Sequence, residues 1–532
     1  MNRNNAECQT PEGSQENKPE TQDDIRITIS ESRKRKKVLL VNPKSQPTYW
    51  SYDYCLPYVQ KKAAYAPLGL ITLAGMLPKN WDLSLADLST GPLQQDELEN
   101  SDAVFLGGMH IQAKSFHEEA KRAQRAGKVV VGGGPYVTSS PEECENIDHL
   151  VIGEAEGGIK EWCEAFEQGR APKVAEMEPF PSLLKTPLPR YDLLKINDYS
   201  SMGLQLGRGC PQNCEFCSVT KLNGRVPRLK TTEQFLTEIE ALYETGYTGS
   251  VFIVDDNFIG NRKEVEKKLP KIAAWQKEHG YPFDFFTQAD LRLAKSDAFM
   301  AKMVEAGFSG VFLGIETPSK KALQEAGKNQ NVNVDLDKAV RKITKAGLEC
   351  MAGFIVGFDS DNEESLDELG HFISRNPIPQ AMVGVLQASP QTDLLKRMEA
   401  EGRMLDSFDG EQFGVANFKT VMEASKLREG YAKILKNIYA PKAYFDRCLQ
   451  LLRMRDNPRH ALYKKRLIFG LKALKNSLLR QGLKSSYRTD YWRFLATVAL
   501  TMPSKFHTAI TQAIKLAHYY RFTHEDVMPR LA

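Results

Sequence analysis

Short apolar runs and amphipathic stretches alternate along most of this chain. Val38-Leu39-Leu40-Val41, closed by Asn42-Pro43, reads as a first buried strand. Residues 68–77 and 114–126 have helical spacing, and Leu83-Ser84-Leu85-Ala86-Asp87 and Ala103-Val104-Phe105-Leu106-Gly107 read as strands. Lys128-Val129-Val130-Val131 runs into Gly132-Gly133-Gly134-Pro135, and His149-Leu150-Val151-Ile152 into Gly153-Glu154-Ala155-Glu156. Near-continuous apolar strands between helices predict a parallel, doubly wound sheet, because strands covered on both faces lose the polar alternation of half-buried ones. Such sheets bind ligands beyond the carboxyl ends of their strands. Glycines at those ends let a ligand approach the backbone closely.

A second series follows. Strand patterns at 204–206, 250–254, 283–287, 311–315, 351–356 and 382–386 alternate with helical patterns at 232–243, 263–277, 297–305, 336–346, 363–373 and 394–401. Repeated βα units of this size predict a partial (β/α)6 barrel, with function collected at the C-terminal ends of its strands. Those ends are polar: Asp255-Asp256-Asn257, then Gln288 and Asp290, then Gly314-Ile315-Glu316-Thr317. Gly353 and Gly357 flank the fifth strand and Gln387 ends the sixth. Met202, Met303, Met351 and Met382 lie in apolar stretches and read as core filler. Between the two series, Pro172, Pro179, Pro181, Pro187 and Pro189 predict an extended connection. The last segment has helical periodicity, with aromatics interleaved among basic residues, as in Lys464-Lys465-Arg466-Leu467-Ile468-Phe469 and Tyr491-Trp492-Arg493-Phe494-Leu495. The expected organisation is a disordered tail (1–35), a doubly wound domain (36–165), a linker (166–200), a barrel (201–406) and a basic helical domain (407–532).

Composition narrows the class. A chain of 532 residues, 42% hydrophobic and 26% charged, is ordinary for a globular protein of several domains. The opening residues are polar, which favours disorder and leaves no apolar core for a signal peptide. No long apolar run predicts a membrane span. Only three of the nine cysteines cluster, so a secreted disulfide framework is excluded and a reducing compartment is expected. The net charge of +4 hides an asymmetry: residues 441–532 carry 18 Lys and Arg against 5 Asp and Glu, or +13, leaving −9 for the rest. A basic end can meet nucleic acid or anionic lipid, or be a solvated face. No RNA-binding motif accompanies it, and a helical cap over the barrel is the expected role.

The three clustered cysteines stand in Gly209-Cys210-Pro211-Gln212-Asn213-Cys214-Glu215-Phe216-Cys217. Thiolates on so short a loop can converge on one soft metal site. Three ligands leave a fourth position open, whereas structural zinc takes four protein ligands and is closed. Ligand count therefore favours a four-iron cluster with one free iron over a zinc knuckle that borrows a distant ligand.

This CxxxCxxC spacing, with Phe216 before the last cysteine, resembles the signature of radical SAM enzymes. With GGGP and VIGEAE ahead of it, the chain resembles the cobalamin-binding class of that superfamily. VFIVDDNFIGN, FLGIETP, AGFIVGFD and LQASPQTDL look like the branch with a basic helical C-terminal domain that includes the hopanoid C-2 methylases. Bacteriochlorophyll side-chain methyltransferases are further relatives. The resemblance spans about residues 36–532. It implies a Rossmann-like cobalamin-binding domain, a radical SAM barrel and a helical C-terminal domain. It implies a [4Fe-4S] cluster on Cys210, Cys214 and Cys217. It places S-adenosyl-L-methionine near Phe216, Asp255, Asp256, Glu316, Gly353 and Gln387, with Asp255-Asp256 standing where many members carry a GGE-like turn. It places cobalamin near Gly108, Met109, His110, Gly132, Gly133, Gly134 and Glu154. The DxHxxG motif that supplies an axial histidine is missing, so base-off cobalamin without a protein histidine is implied, and His110 is expected as a polar loop residue beside the pocket.

The implied reaction is methylation of an unactivated carbon. A 5′-deoxyadenosyl radical removes hydrogen, methylcobalamin donates the methyl group, and a second S-adenosyl-L-methionine restores it. The implied substrate is a hydrophobic polycyclic small molecule, a hopanoid-type lipid or a bacteriochlorophyll-type tetrapyrrole. A flavodoxin- or ferredoxin-type electron donor, a cytoplasmic location with peripheral contact to the inner membrane, and no nucleic-acid partner complete the expectation. Ring formation or oxidation with the same cofactors is the alternative, and an iron–sulfur electron carrier, which needs no barrel, comes behind it.

Overall fold

The computed structural model describes residues 35–455 and 467–531. The disorder expected for 1–34 and the run Lys464-Lys465-Arg466 lie outside the described residues. Strand β1 (Lys37–Asn42) opens a first sheet and β2 (Ala63–Tyr65) passes to a second. Strands β3 (Asp82–Asp87), β4 (Ala103–Gly107), β5 (Val129–Gly133), β6 (His149–Ile152) and β7 (Val174–Glu176) return to the first. All its pairings are parallel, in the order β3-β1-β4-β5-β6-β7. Leu39, Val41, Val104, Leu106 and Val130 pack under one set of helices with Phe116, Ala120 and Ala123. Val38, Leu40, Ala103, Phe105 and Val131 face the other side, with Trp81, Trp162 and Phe166. Two cores on two faces explain why these strands read as continuous apolar runs. The proline-bearing stretch adds β7, whose Val174 pairs with Leu150 of β6.

After β8 (Tyr199–Leu204) comes a short ribbon of β9 (Gly207–Arg208) and β10 (Arg228–Leu229). Strands β11 (Gly249–Ile253), β12 (Phe283–Ala289), β13 (Phe308–Glu316), β14 (Glu349–Val356) and β15 (Ala381–Val385) alternate with helices. The second sheet is a parallel, seven-stranded partial barrel in the order β15-β14-β13-β12-β11-β8-β2. Its outward residues Val251, Ile253, Phe285, Val311, Leu313, Ala352 and Phe354 are sealed under the helices. Phe252, Phe286 and Phe312, on the opposite face, stay half-buried and line a lumen.

Two more elements differ from the sequence pattern. The strand before the cysteines is Tyr199–Leu204 and stops where 204–206 was expected to continue, because the Leu206 N–H is taken by Asp255 Oδ1 at 2.8 Å. Strand β2 has three residues and no apolar run; only its pairing with β8, Ala63 to Tyr199 and Tyr65 to Ser201, makes it a strand.

The C-terminal helices Ala424–Ile438, Pro441–Met454, Leu467–Ser477, Arg488–Thr501 and Phe506–Arg521 pack on the barrel. Tyr431 and Tyr439 donate to the Val383 and Ala381 carbonyls of β15 at 2.9 and 2.5 Å. Arg447, fully buried, donates to the Ile378 and Ile438 carbonyls at 2.9 and 2.6 Å. Glu349, which opens β14, is the polar centre of this closure. It accepts from Gln380 Nε2 (2.6 Å) and Gln512 Nε2 (2.9 Å), with Lys515 at 3.4 Å and Arg455 at 3.6 Å. Burial alone would raise the Glu349 pKa, but Lys515, Arg455 and the two amides hold it below the ordinary carboxylate value.

Removing one partner of a buried charge cluster strands the others without water. Glu349→Ala is expected to lower the unfolding free energy by about 3–5 kcal/mol, read by urea denaturation. In the parent protein this contribution is present above the unfolded carboxylate pKa of about 4 and is lost as pH falls through the depressed folded value. The variant's stability deficit should therefore shrink at acid pH.

Candidate functional site

The cysteine loop leaves the sheet at the C-terminal mouth of the barrel and is pinned by backbone contacts. Cys210 N–H donates to Gly224 O (3.1 Å), Glu215 N–H to Ala326 O (2.9 Å) and Cys217 N–H to Cys214 O (3.1 Å). Gly209 has φ +100°, and a Cβ there would meet the carbonyl oxygens of Asn223, Gly224 and Val226 at 2.9–3.1 Å. Only glycine fits that crossing. Asp255 and Asp256 brace the same loop. Asp255 Oδ1 accepts from Leu206 N, Asp256 Oδ2 accepts from Gly209 N at 2.7 Å, and Asn223 donates to both Asp256 oxygens at 3.1 Å. Burial pushes the Asp255 carboxyl up to about 7, against two backbone N–H groups that pull it down. Both carboxylates are thus occupied by backbone, where the sequence pointed to a ligand amine.

Cys210, Cys214 and Cys217 are half-exposed, whereas the other five described cysteines, Cys55, Cys144, Cys163, Cys350 and Cys448, are buried. The Asn257 amide points an N–H at Cys210 Sγ (3.9 Å) and the Gln330 amide one at Cys214 Sγ (3.7 Å). Burial pushes all three thiols up, Cys217 to about 12; a coordinated metal reverses that by deprotonating the thiol outright. Among the described residues no three His, Cys, Asp or Glu side chains are gathered around a single metal ion. Three clustered cysteines with amide donors aimed at two of their sulfurs suit an iron–sulfur cluster, whose potential such N–H···S contacts tune.

The neighbouring strand ends hold buried polar groups. Glu316 closes β13 at φ +66°, beside a register shift against β14. Its Oε1 pairs with Lys328 Nζ at 2.6 Å. Burial opposes charge on Lys328, but Glu316 and the Cys214 and Cys217 sulfurs hold its pKa above the ordinary lysine value. Asn257 Nδ2 donates to Asp290 Oδ2 (2.9 Å) and Asn331 Nδ2 to the Gly314 carbonyl (2.9 Å). The Oδ1 atoms of Asn257 and Asn331 are buried without a partner. Buried acceptors left unpaired in a native protein call for a donor that completes them. Phe216 faces Phe358 at 6.4 Å in a pocket with Leu386, Leu394, Ala326 and Arg397. Gly353 leaves room for the Phe312 ring, which a Cβ would meet at 2.9 Å. Gln387 is bound to the segment after the barrel, donating to Val415 O (2.7 Å) and accepting from Asn417 N (3.2 Å). Sequence reasoning missed Lys328, Gln330 and Asn331; the signal was the polar run Lys328-Asn329-Gln330-Asn331, far from the strand end it serves.

The carboxyl edge of the first sheet faces this mouth. Gly108 and Gly134 bring the β4 and β5 ends together, and a Cβ on Gly134 would meet Gly108 O at 3.1 Å. Gly132 lies against the Phe116 ring and Gly133 beside the Val151 backbone. Met109 is 58% exposed on that edge. His110 Nε2 is 3.2 Å from Ser140 Oγ, and its ring sits between Tyr136 (5.1 Å) and Phe408 (5.2 Å). Glu154 pairs with Arg228 Nη2 (2.6 Å) and with Arg208, which also holds Glu156 at 3.0 Å. This edge presents backbone and one exposed thioether, and the His110 ring is engaged by Ser140.

The model of the radical SAM superfamily matches residues 204–373, and a domain of unknown function, DUF4070, matches 392–528. An uncharacterised methyltransferase of Synechocystis is 38% identical over 91% of this chain and 92% of its own. The hopanoid C-2 methylase of Rhodopseudomonas palustris is 31% identical over 86% of this chain and 88% of its own. The chain belongs to the radical SAM superfamily, in the branch of that methylase. In fold it is similar to a radical S-adenosylmethionine methyltransferase from Kitasatospora setae, solved with cobalamin and a [4Fe-4S] cluster bound. The TM-score is 0.60 over 91% of this chain and 99% of that one, at 13% identity.

The lumen of this radical SAM protein is walled by aromatic rings. Phe252 and Phe286 stack at 4.8 Å, Tyr65 lies 5.8 and 6.5 Å from them, and Trp50 packs on Phe312 at 4.7 Å. Tyr52, from the same segment as Trp50, and Tyr519 both donate to the buried Gln380 Oε1, at 2.8 and 2.9 Å. Trp50, Tyr52 and Tyr65 come from the N-terminal segment that supplies β2, so the chamber is built by two parts of the chain.

Replacing any one of Cys210, Cys214 or Cys217 by Ala should abolish the brown absorbance and bound iron of anaerobically purified protein. Alanine at Cys55, Cys144, Cys163, Cys350 or Cys448 should leave both in place. Iron and sulfide analysis decides the point, and a Cys214→Ala protein with full iron content would refute the ligand assignment.

Proposed function

We propose that this protein is a cobalamin-dependent radical SAM C-methyltransferase that methylates an unactivated carbon of a large apolar polycyclic molecule, of the hopanoid or tetrapyrrole kind. The observation that carries this reading is the cluster of three cysteines at the C-terminal mouth of a barrel with aromatic rings on its inner face, in a chain akin to a hopanoid C-2 methylase. When bound, a [4Fe-4S] cluster, S-adenosyl-L-methionine and methylcobalamin supply the radical chemistry and the methyl group. The protein's own work is to hold, orient and keep water out.

Cys210, Cys214 and Cys217 hold the iron. The unpaired Oδ1 atoms of Asn257 and Asn331 and the Glu316 carboxylate are acceptors for a methionyl ammonium, and Lys328 is the cation available to a methionyl carboxylate. Phe216, beside Phe358, offers an aromatic surface for adenine. The backbone at Gly108, Met109 and Gly132–Gly134 would hold the corrin, with His110 kept at Ser140 rather than offered as a ligand. Phe252, Phe286, Phe312, Trp50 and Tyr65 take the substrate by apolar contact, which favours a wide, rigid ring system over a small polar metabolite. A flavodoxin- or ferredoxin-type donor supplies electrons.

The test is anaerobic incubation of the holoprotein with methyl-labelled S-adenosyl-L-methionine and fractionated apolar extracts. Label in a polycyclic product, with 5′-deoxyadenosine formed alongside it, is the expected result. Deoxyadenosine formation with no labelled apolar product would overturn the methylation. Within the same assay Phe252→Ala and Phe286→Ala should raise the substrate KM about tenfold or more, as expected when a buried ring contact is lost, while iron content stays unchanged.

The cobalt environment gives an independent reading. The electron paramagnetic resonance spectrum of the Co(II) form should lack axial nitrogen superhyperfine splitting, and His110→Ala should not change it. Splitting that vanishes in His110→Ala would place imidazole on cobalt.

A further inference from the structure

The C-terminal helices have a second face. Turned away from the barrel are Leu471 (57% exposed), Leu479 (43%), Leu483 (63%), Trp492 (46%) and Leu500 (84%). The first three follow one another along Leu467–Ser477 and its continuation Leu478–Leu483. Trp492 joins the helix Arg488–Thr501 to them, donating from Nε1 to the Gly482 carbonyl at 2.9 Å. From there Ala496, Ala499 and Leu500 extend the exposed apolar strip. Residues 467–501 carry Lys472, Lys475, Arg480, Lys484, Arg488 and Arg493 against a single acid, Asp490, which is paired with Arg493 at 2.9 Å.

We propose that this face docks the protein on an anionic lipid bilayer. Scattered single leucines on a surface need no explanation, but leucines and a tryptophan joined in one strip and flanked by cations do. Leucine side chains reach the acyl boundary, tryptophan favours the headgroup level, and long basic side chains extend to the phosphates. A soluble acidic partner would be matched by the cations alone and gives no use to Leu479, Leu483 and Leu500. The patch also adjoins the N-terminal segment of the lumen: Asn476 Nδ2 donates to Tyr58 O at 2.9 Å, and Arg480 lies over the Tyr58 ring at 5.1 Å. A substrate leaving the bilayer there would meet the chain that supplies Trp50 and Tyr65. That last point rests on the function proposed above; the docking itself does not.

The test is flotation of the full-length protein with vesicles of phosphatidylglycerol and phosphatidylcholine, and with phosphatidylcholine alone, at low and high salt. No cofactor or substrate is needed, so the result is separate from the fate of the methylation assay. Flotation with the anionic vesicles, reduced by salt, is expected. Lys475→Glu with Lys484→Glu should weaken it by about tenfold or more from lost surface charge. Leu479→Ser with Leu483→Ser should weaken it with little change in salt dependence. Circular dichroism and iron content of both variants should match the parent, since these side chains are exposed. A parent protein that stays unfloated with anionic vesicles at low salt overturns the proposal. So does equal flotation of both double variants, or a dimer that the same substitutions dissociate without any vesicle binding; the last would assign the face to a second copy of the chain.

Discussion

Arg208 lies between two carboxylates from the other sheet, and the geometry of the whole mouth depends on it. Its guanidinium holds Glu154 and Glu156, while Arg228 takes the second oxygen of Glu154. These side chains are only 4–15% exposed, so the cluster of two cations and two anions is neutral and nearly dry. Burial would raise the Glu156 pKa and lower that of Arg208, but their mutual attraction reverses both directions. A buried group of this kind adds little net stability over apolar packing, yet losing one member is expensive. It therefore acts as a positional lock. Arg208 stands two residues before Cys210, and Glu154 follows the end of β6, so one contact sets the carboxyl edge of the first sheet against the cysteine loop. Tyr199 and Asp87 make a second tie at 2.9 Å, between β8 and β3.

The strands and helices were legible because their hydrophobic periods are local properties, and most observed bounds lie within a residue or two of the expected ones. What could not be read was pairing. Strand β2 is three residues made extended by β8, and β7 lies in a proline-bearing stretch that composition alone calls a connection. Glycine and aspartate roles divide along the same line. The glycines after β4 and β5 read as room for a ligand, and at Gly134 the missing Cβ also admits the backbone of Gly108. Asp255 and Asp256 read as facing an ammonium, and their oxygens accept from main-chain N–H groups of the loop and from the Asn223 side-chain amide. A residue type announces what it can accept, and only the fold decides which donor arrives first. Asn257, one position along, keeps an oxygen free where its two neighbours do not.

The basic C-terminus shows how a charge count can merge two structures into one number. Arg447, Arg455 and Lys515 serve the interior, against carbonyl oxygens and Glu349. Lys475, Lys484 and Arg488 are exposed beside leucines. A tail that were only a solvated face would leave no arginine at 0% exposure, and one that were only a cap would leave no leucine at 84%. The two populations alternate with helical period, so one set of helices closes the barrel with one face and presents the other outward.

The lumen draws its wall from strands of the barrel and from the N-terminal segment that carries Trp50, Tyr52 and Tyr65. That segment is itself held by the C-terminal helices: Tyr49 shares a 2.8 Å hydrogen bond with Thr523, and His518 is 2.9 Å from the Thr48 carbonyl. The rings that would touch a substrate are thus positioned by residues more than 450 positions away in sequence. Barrel strands bound by their own ladders and helices have little freedom to change shape without losing the cysteine mouth. The entering segment is held instead by side-chain contacts and by the short pairing of β2 with β8. Trp50 and Tyr65 therefore belong to a part of this wall held by side chains, and Phe252, Phe286 and Phe312 to the part fixed by strand pairing.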